Sequence, residues 1–129
     1  MKQYELNLYG TIYKVKPVLN QYANGLLYLE FIEVGSEELI AVATVNLGEF
    51  ISILNAAHID TNNHPNMVEF LEENGFGVKT DLIRTSGFCK YPIFLFNEDI
   101  LRGINNGVYQ NYIDNFERYL YESIDQLII

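Results

Sequence analysis

The chain has 129 residues, of which 49% are hydrophobic and 19% charged, with one cysteine and a formal net charge of −9 at pH 7. That size and apolar content predict one folded domain over residues 1–129 and exclude a disordered chain, while a single cysteine excludes an internal disulfide and a cysteine-rich zinc module. No apolar run approaches the ~18–20 residues that span a bilayer, and Met1-Lys2-Gln3-Tyr4-Glu5 lacks the apolar core of a signal peptide, so the expectation is a soluble cytoplasmic protein.

The first half reads as strands. Lys2 to Leu8 alternates and ends at Tyr9-Gly10, and Thr11 to Gln21 is rich in β-branched and aromatic residues. Pro17 lies inside the second run; it cannot donate to a ladder, which predicts an edge or a bulge there. Tyr22-Ala23-Asn24-Gly25 is a turn, since Asn-Gly accepts positive φ at little cost. Leu26 to Val34 is a strong strand, Gly35-Ser36-Glu37-Glu38 turns it around, and Leu39 to Asn46 follows, apolar on nearly every position. That last pattern suits a central strand covered on both sides, or one packed against helices. Short turns make these antiparallel neighbours in a meander.

Phe50 to Leu54 is apolar but too short to type, and Ala57 to Asp60 reads as a short strand. Asp60-Thr61-Asn62-Asn63-His64-Pro65 is a helix-start signal, with cap-type side chains before a proline at the first helical position. The helix predicted after it buries Met67, Phe70 and Leu71 and stops at Asn74-Gly75, glycine supplying the left-handed cap. Glu69, Glu72 and Glu73 fall towards its C-terminal end, where the dipole disfavours anions. Strands recur at Leu82 to Thr85 and Tyr91 to Phe96. Asn97 caps a short helix that Asn105-Asn106-Gly107 breaks. From Tyr109 to Ile128, apolar residues at three- and four-residue spacing give the clearest helix in the chain, expected to lie across the sheet, with Leu127-Ile128-Ile129 docked in the core or against a second subunit. The fold class is therefore α+β: an antiparallel meander sheet of about four to six strands, a short central helix and a long C-terminal helix packed on the sheet.

The residues that could carry chemistry are few. Cys89 has Lys90 beside it, which lowers a thiol pKa, but no nucleophile signature surrounds it, and His58 and His64 are not tied to it by any motif. His58 and His64 are six apart and do not share one helix face, so no metal site is expected. Gly75-Phe76-Gly77 follows a helix instead of opening one and lacks the context of a phosphate loop. Neither Glu37-Glu38 nor Glu72-Glu73 has a partner that would split acid from base roles. The expectation is no catalytic residue, no metal and no cofactor.

The charge is distributed unevenly. Between Pro17 and Val78 there is no lysine or arginine, yet the stretch holds Glu30, Glu33, Glu37, Glu38, Glu49, Asp60, Glu69, Glu72 and Glu73; the remainder of the chain is neutral. Such a field repels phosphate backbones, so direct nucleic-acid binding is disfavoured. It either steers a basic partner or only keeps the protein soluble; composition leaves both open.

Three segments together resemble a known family: Asp60-Thr61-Asn62-Asn63-His64-Pro65, Phe70-Leu71-Glu72-Glu73-Asn74-Gly75, and Ser86-Gly87-Phe88-Cys89-Lys90-Tyr91-Pro92 with Phe94 and Phe96 after it. Tyr22-Ala23-Asn24-Gly25 and Val45-Asn46-Leu47 fit its N-terminal half, and the likeness runs from about Thr11 to Phe96. The chain is similar to a small family of domains of unknown function, carried by conjugative elements and phages of Firmicutes and Bacteroides. No site residues come with that resemblance. It implies the setting of a mobile-element accessory protein, where small acidic proteins of anti-restriction or anti-CRISPR type occupy basic grooves with carboxylates in place of phosphates. Combined with the charge distribution, this gives the expectation of a non-enzymatic inhibitor of a host defence nuclease. It would bind a basic nucleic-acid-handling protein such as a CRISPR effector through Glu30, Glu33, Glu37, Glu38, Glu69, Glu72 and Glu73. The alternatives are a structural or regulatory module that homodimerises through the C-terminal helix, and an enzyme with Cys89 as nucleophile.

Overall fold

The computed structural model describes residues 2–128, with side chains to residue 124. The α+β class stands: eight antiparallel strands and three helices, the strands divided over two four-stranded sheets. The first sheet is a meander of β1 (Tyr4–Leu8), β2 (Thr11–Gln21), β3 (Leu27–Glu33) and β4 (Leu39–Val42), in that spatial order. Tyr9 (φ 51°) and Gly10 (φ 89°) make the turn between β1 and β2, positive φ at both central residues matching the twist of a tight hairpin. Alternation sets the register: Tyr4, Leu6, Val15, Leu19, Leu27, Leu29 and Phe31 all point to one face and are buried.

Pro17 sits in this sheet at no cost. Val34 N donates to Lys14 O at 2.9 Å, so even-numbered residues of β2 turn their backbone groups to β3 and odd-numbered ones to β1. The β1 ladder ends at the pair Tyr4 and Val15. The nitrogen of Pro17 therefore faces a side where no strand pairs, a local edge within a strand that is central elsewhere.

The Leu39 to Asn46 run is not one covered central strand. It is β4 and then β5 (Thr44–Val45), which form outer strands of different sheets. Ala43 is the hinge: its N–H donates to Leu29 O and its carbonyl accepts from Asp60 N, both at 2.9 Å. The run is apolar on nearly every position because Ala41, Ala43 and Thr44 are buried where the chain passes from one sheet to the other. The second sheet has the order β5, β6 (Ala56–Ile59), β8 (Cys89–Phe96), β7 (Gly77–Ser86).

Between β6 and β7 lies α1 (Met67–Glu73). It starts later than the Asp60–Pro65 signal predicts. Asp60 instead organises a separate turn, its carbonyl accepting from His64 N (3.0 Å) and its Oδ1 from Asn63 N (3.1 Å). Asn66 is the residue before the helix and caps nothing with its side chain, which donates to Asn7 O at 2.7 Å. Met67, Phe70 and Leu71 are buried as the spacing predicts. Gly75 (φ 76°) ends the helix, with Gly75 N donating to Glu72 O and Phe76 N to Leu71 O.

Asn97 caps α2 (Glu98–Ile104), accepting from Asp99 N (2.8 Å) and Ile100 N (3.4 Å). Asn105 both ends α2 and starts α3 (Asn106–Ile128), where its Oδ1 accepts from Val108 N at 3.1 Å. Tyr109 and Tyr112 of α3 enter the core, and both hydroxyls meet Asn55: Tyr109 OH donates to Asn55 Oδ1 (2.6 Å) and Asn55 N donates to Tyr112 OH (2.9 Å). The apolar stripe outlasts the body it packs on, since Tyr121 is 69% exposed and Ile124 43%. The expected docking of Leu127-Ile128-Ile129 lies outside the described residues.

Gly77 (φ 153°) opens β7 directly against β8; a Cβ there would stand 2.0 Å from Leu95 O. Gly77→Ala is expected to cost at least about 3 kcal/mol in equilibrium urea unfolding, combining backbone strain with overpacking against a carbonyl. Gly35→Ala, at φ 102° with nothing within 4 Å, is expected to lose only about 1–2 kcal/mol. Equal losses would mean the close approach at Gly77 does not matter.

Candidate functional site

The seven glutamates singled out from the sequence do not share one surface. Glu33, Glu37 and Glu38 stand at the turn between β3 and β4, where Ser36 Oγ donates to Glu33 (2.6 Å) and Lys16 pairs with Glu37 (2.9 Å). Glu30 lies on the outer face of β3 and accepts from Tyr28 OH at 2.6 Å. The Tyr28 hydroxyl is pushed up to about 12, by burial first and then by that carboxylate. Glu72 turns towards β7 and accepts from Lys79 N at 3.1 Å, so one predicted contact residue serves the edge of a sheet. Lys14 and Lys16 of β2 stand on the outer face between the turn and the β1 edge.

Glu69 and Glu73 are the two that the fold brings together. They share one flank of α1 with Asn66, Phe70 and Asn74, at three- and four-residue spacing, and that flank faces Glu5 and Asn7 of β1. Together these residues line a concavity of about 220 Å³. Three acidic residues therefore line the place where β1 meets α1; none of them makes an ion pair among the described residues, and Lys14 stands directly across the ladder from Glu5. Glu5 was not legible as a member, because it lies outside the Pro17–Val78 run and joins it only through the packing of α1 beside β1.

A second cleft, of about 280 Å³, opens on the face of the second sheet that points away from the main core. The segment between β5 and β6 covers this face, with Ile51 packed on Ala56 and Leu26. Glu49 from that segment makes a bidentate ion pair with Arg84 of β7 at the cleft mouth. His58 lines the cleft at 3% exposure, with Nδ1 buried and unpartnered. Burial, and then the Arg84 guanidinium, hold its imidazole below the ordinary 6.5, while Glu49 opposes them. Among the described residues no three histidine, cysteine or acidic side chains converge as metal ligands, and Cys89 is half-buried near the tip of the β7–β8 hairpin. The two motif runs do meet, as Thr61 Oγ1 donates to Lys90 O at 3.4 Å.

This fold, with its acid-lined groove, is that of a small α+β domain from a family of unknown function. A family model described as "Domain of unknown function (DUF4313)" matches residues 18–119, and the chain belongs to that family. The match extends past Phe96 and takes in much of α3. No curated protein and no solved structure matches the chain. No helix among the described residues is long and apolar enough to cross a membrane.

The depressed imidazole has a stability consequence of definite sign. Below pH 6.5 the unfolded chain protonates His58 before the folded one does, so the wild type loses stability as pH falls towards the folded pKa. Carboxylates titrate too, so the readout is a difference. Unfolding free energy of wild type minus that of His58→Leu is expected to be flat above about pH 6.5 and to fall below it. A difference that stays constant with pH would show that His58 is not held neutral.

Proposed function

We propose that this domain is a non-catalytic binding module that receives a basic protein surface in the acidic groove between β1 and α1. The observation that carries the reading is that Glu5, Glu69 and Glu73 line one concavity and none of them makes an ion pair among the described residues. Unpaired carboxylates held on a strand and a helix keep their geometry before the partner arrives, and they steer a basic surface during encounter. The finer reading is that the partner handles nucleic acid and that binding blocks its groove, as an inhibitor of a host defence nuclease would. It draws on the −9 net charge and on the resemblance to a domain family carried by mobile elements.

The test is nuclease inhibition across a panel of CRISPR effectors and restriction enzymes. The wild type is expected to block cleavage by at least one, less strongly at high salt, and Glu69→Lys/Glu73→Lys to raise the inhibitor concentration needed by at least about tenfold. A double variant as potent as the wild type would remove the acidic groove from the mechanism. No inhibition of any panel member would remove the defence reading.

One observation favours a second reading, self-association through α3: Tyr121 and Ile124 stay exposed beyond the last turn packed on the body. Here the full chain should sediment as a dimer, and a chain truncated before Tyr121 as a monomer. Monomers in both cases would dismiss it.

A further inference from the structure

The backbone of β1 points to how the groove is filled. Val34 N donates to Lys14 O, which leaves the odd residues of β2 to pair with β1, so Tyr4, Leu6 and Leu8 are the residues whose backbone groups face β2. Glu5 and Asn7 turn theirs outward, into the space lined by α1. Asn66 Nδ2 takes Asn7 O at 2.7 Å. The N–H and C=O of Glu5 and the N–H of Asn7 have no partner among the described residues.

We propose that the β1 edge and the flank of α1 form a peptide-binding groove, which takes an extended basic segment of a partner protein by strand addition. The outer strands β7 and β4 are irregular, β7 shifting register between Lys79 and Ile83. The outward N–H of Lys79 on β7 is already taken by Glu72, and β4 is interrupted by a register shift opposite Phe31 and Ile32, the kind of irregularity that blunts an edge. The β1 register is regular from Tyr4 to Leu8. Charge selects the occupant. A second copy of β1 would bring Glu5 against another acid-lined groove, and an acidic strand would meet Glu69 and Glu73. An added strand alternates its side chains between two faces, so lysine or arginine at every second position would meet the carboxylates of α1 while the backbone pairs with Glu5 and Asn7. This mode rests on the acidic-groove reading and specifies the shape of what enters it.

The experiment titrates the full chain with three amidated hexapeptide probes: alternating Lys-Val, alternating Glu-Val, and the Lys-Val peptide N-methylated at every second residue on its pairing edge. The Lys-Val probe is expected to bind, with slowed amide exchange at Glu5 and Asn7, and the N-methylated probe to bind at least about tenfold more weakly. The Glu-Val probe is expected not to bind. Equal affinity of the Lys-Val and N-methylated probes, or protection confined to other strands, would overturn strand addition while leaving the charge reading intact. A Lys-Val probe that binds no better than the Glu-Val probe would overturn both.

Discussion

Four aromatic rings fix the relation between the two sheets and α1. Phe76, just past the helix, packs against Tyr4 of β1 (ring centroids 5.0 Å) and Phe31 of β3 (5.6 Å), and Phe70 on the helix meets the same two rings at 6.4 and 5.2 Å. The rings are mostly tilted or edge-on, the arrangement their quadrupoles favour. Phe76 is fully buried and its carbonyl accepts from Asn97 N at 2.8 Å, so the cluster is joined to the start of α2 as well. Burying three phenylalanines and one tyrosine stabilises by roughly 1.5–3 kcal/mol per side chain relative to exposure.

The groove follows from that packing. Once Phe70 and Leu71 face inward, the 100° step of the helix sets Glu69 and Glu73 on its flank, and Asn66 one turn earlier reaches the β1 backbone. The short helix cannot rotate to relieve the carboxylates without withdrawing Phe70 from the cluster. Apolar packing thus fixes where the carboxylates of α1 stand relative to β1.

How much of this the sequence discloses depends on the range over which the cause acts. Strand alternation in β1 to β3, the buried stripe of α1, the Asn97 cap and the Gly75 stop are set within a few residues and stand in the structure where their patterns put them, whereas β7 begins at Gly77, five residues before the Leu82 start that the sequence suggests. The Leu39–Asn46 run misleads because its apolar faces have two different neighbours, and the partition at Ala43 is decided by Leu29 and Asp60, residues 14 and 17 positions away. The Asp60–Pro65 run looks like a helix start because its side chains do cap a turn, only one that precedes the helix. Among the acids, counting along the chain finds Glu69 and Glu73 but cannot find Glu5, and it cannot foresee that Glu72 is used by Lys79 N or Glu37 by Lys16. Charge is legible as a sum; its pairing is a property of the fold.

The division of labour among the glutamates gives the charge excess its meaning. Glu72 seals an edge amide of β7, Glu30 accepts from Tyr28, and Glu49 bridges to Arg84, so each has a partner that the fold itself provides. Glu69 and Glu73 have none among the described residues, and together with Glu5, which stands across the ladder from Lys14, they flank the β1 backbone groups that point away from the sheet. An edge strand left open is an aggregation hazard that proteins commonly counter with charge. Carboxylates there repel other acidic strands, including further copies of this chain, and admit a cationic one. In the proposed binding mode, edge protection and partner selection are the same electrostatic device, seen from the two sides of one specificity difference.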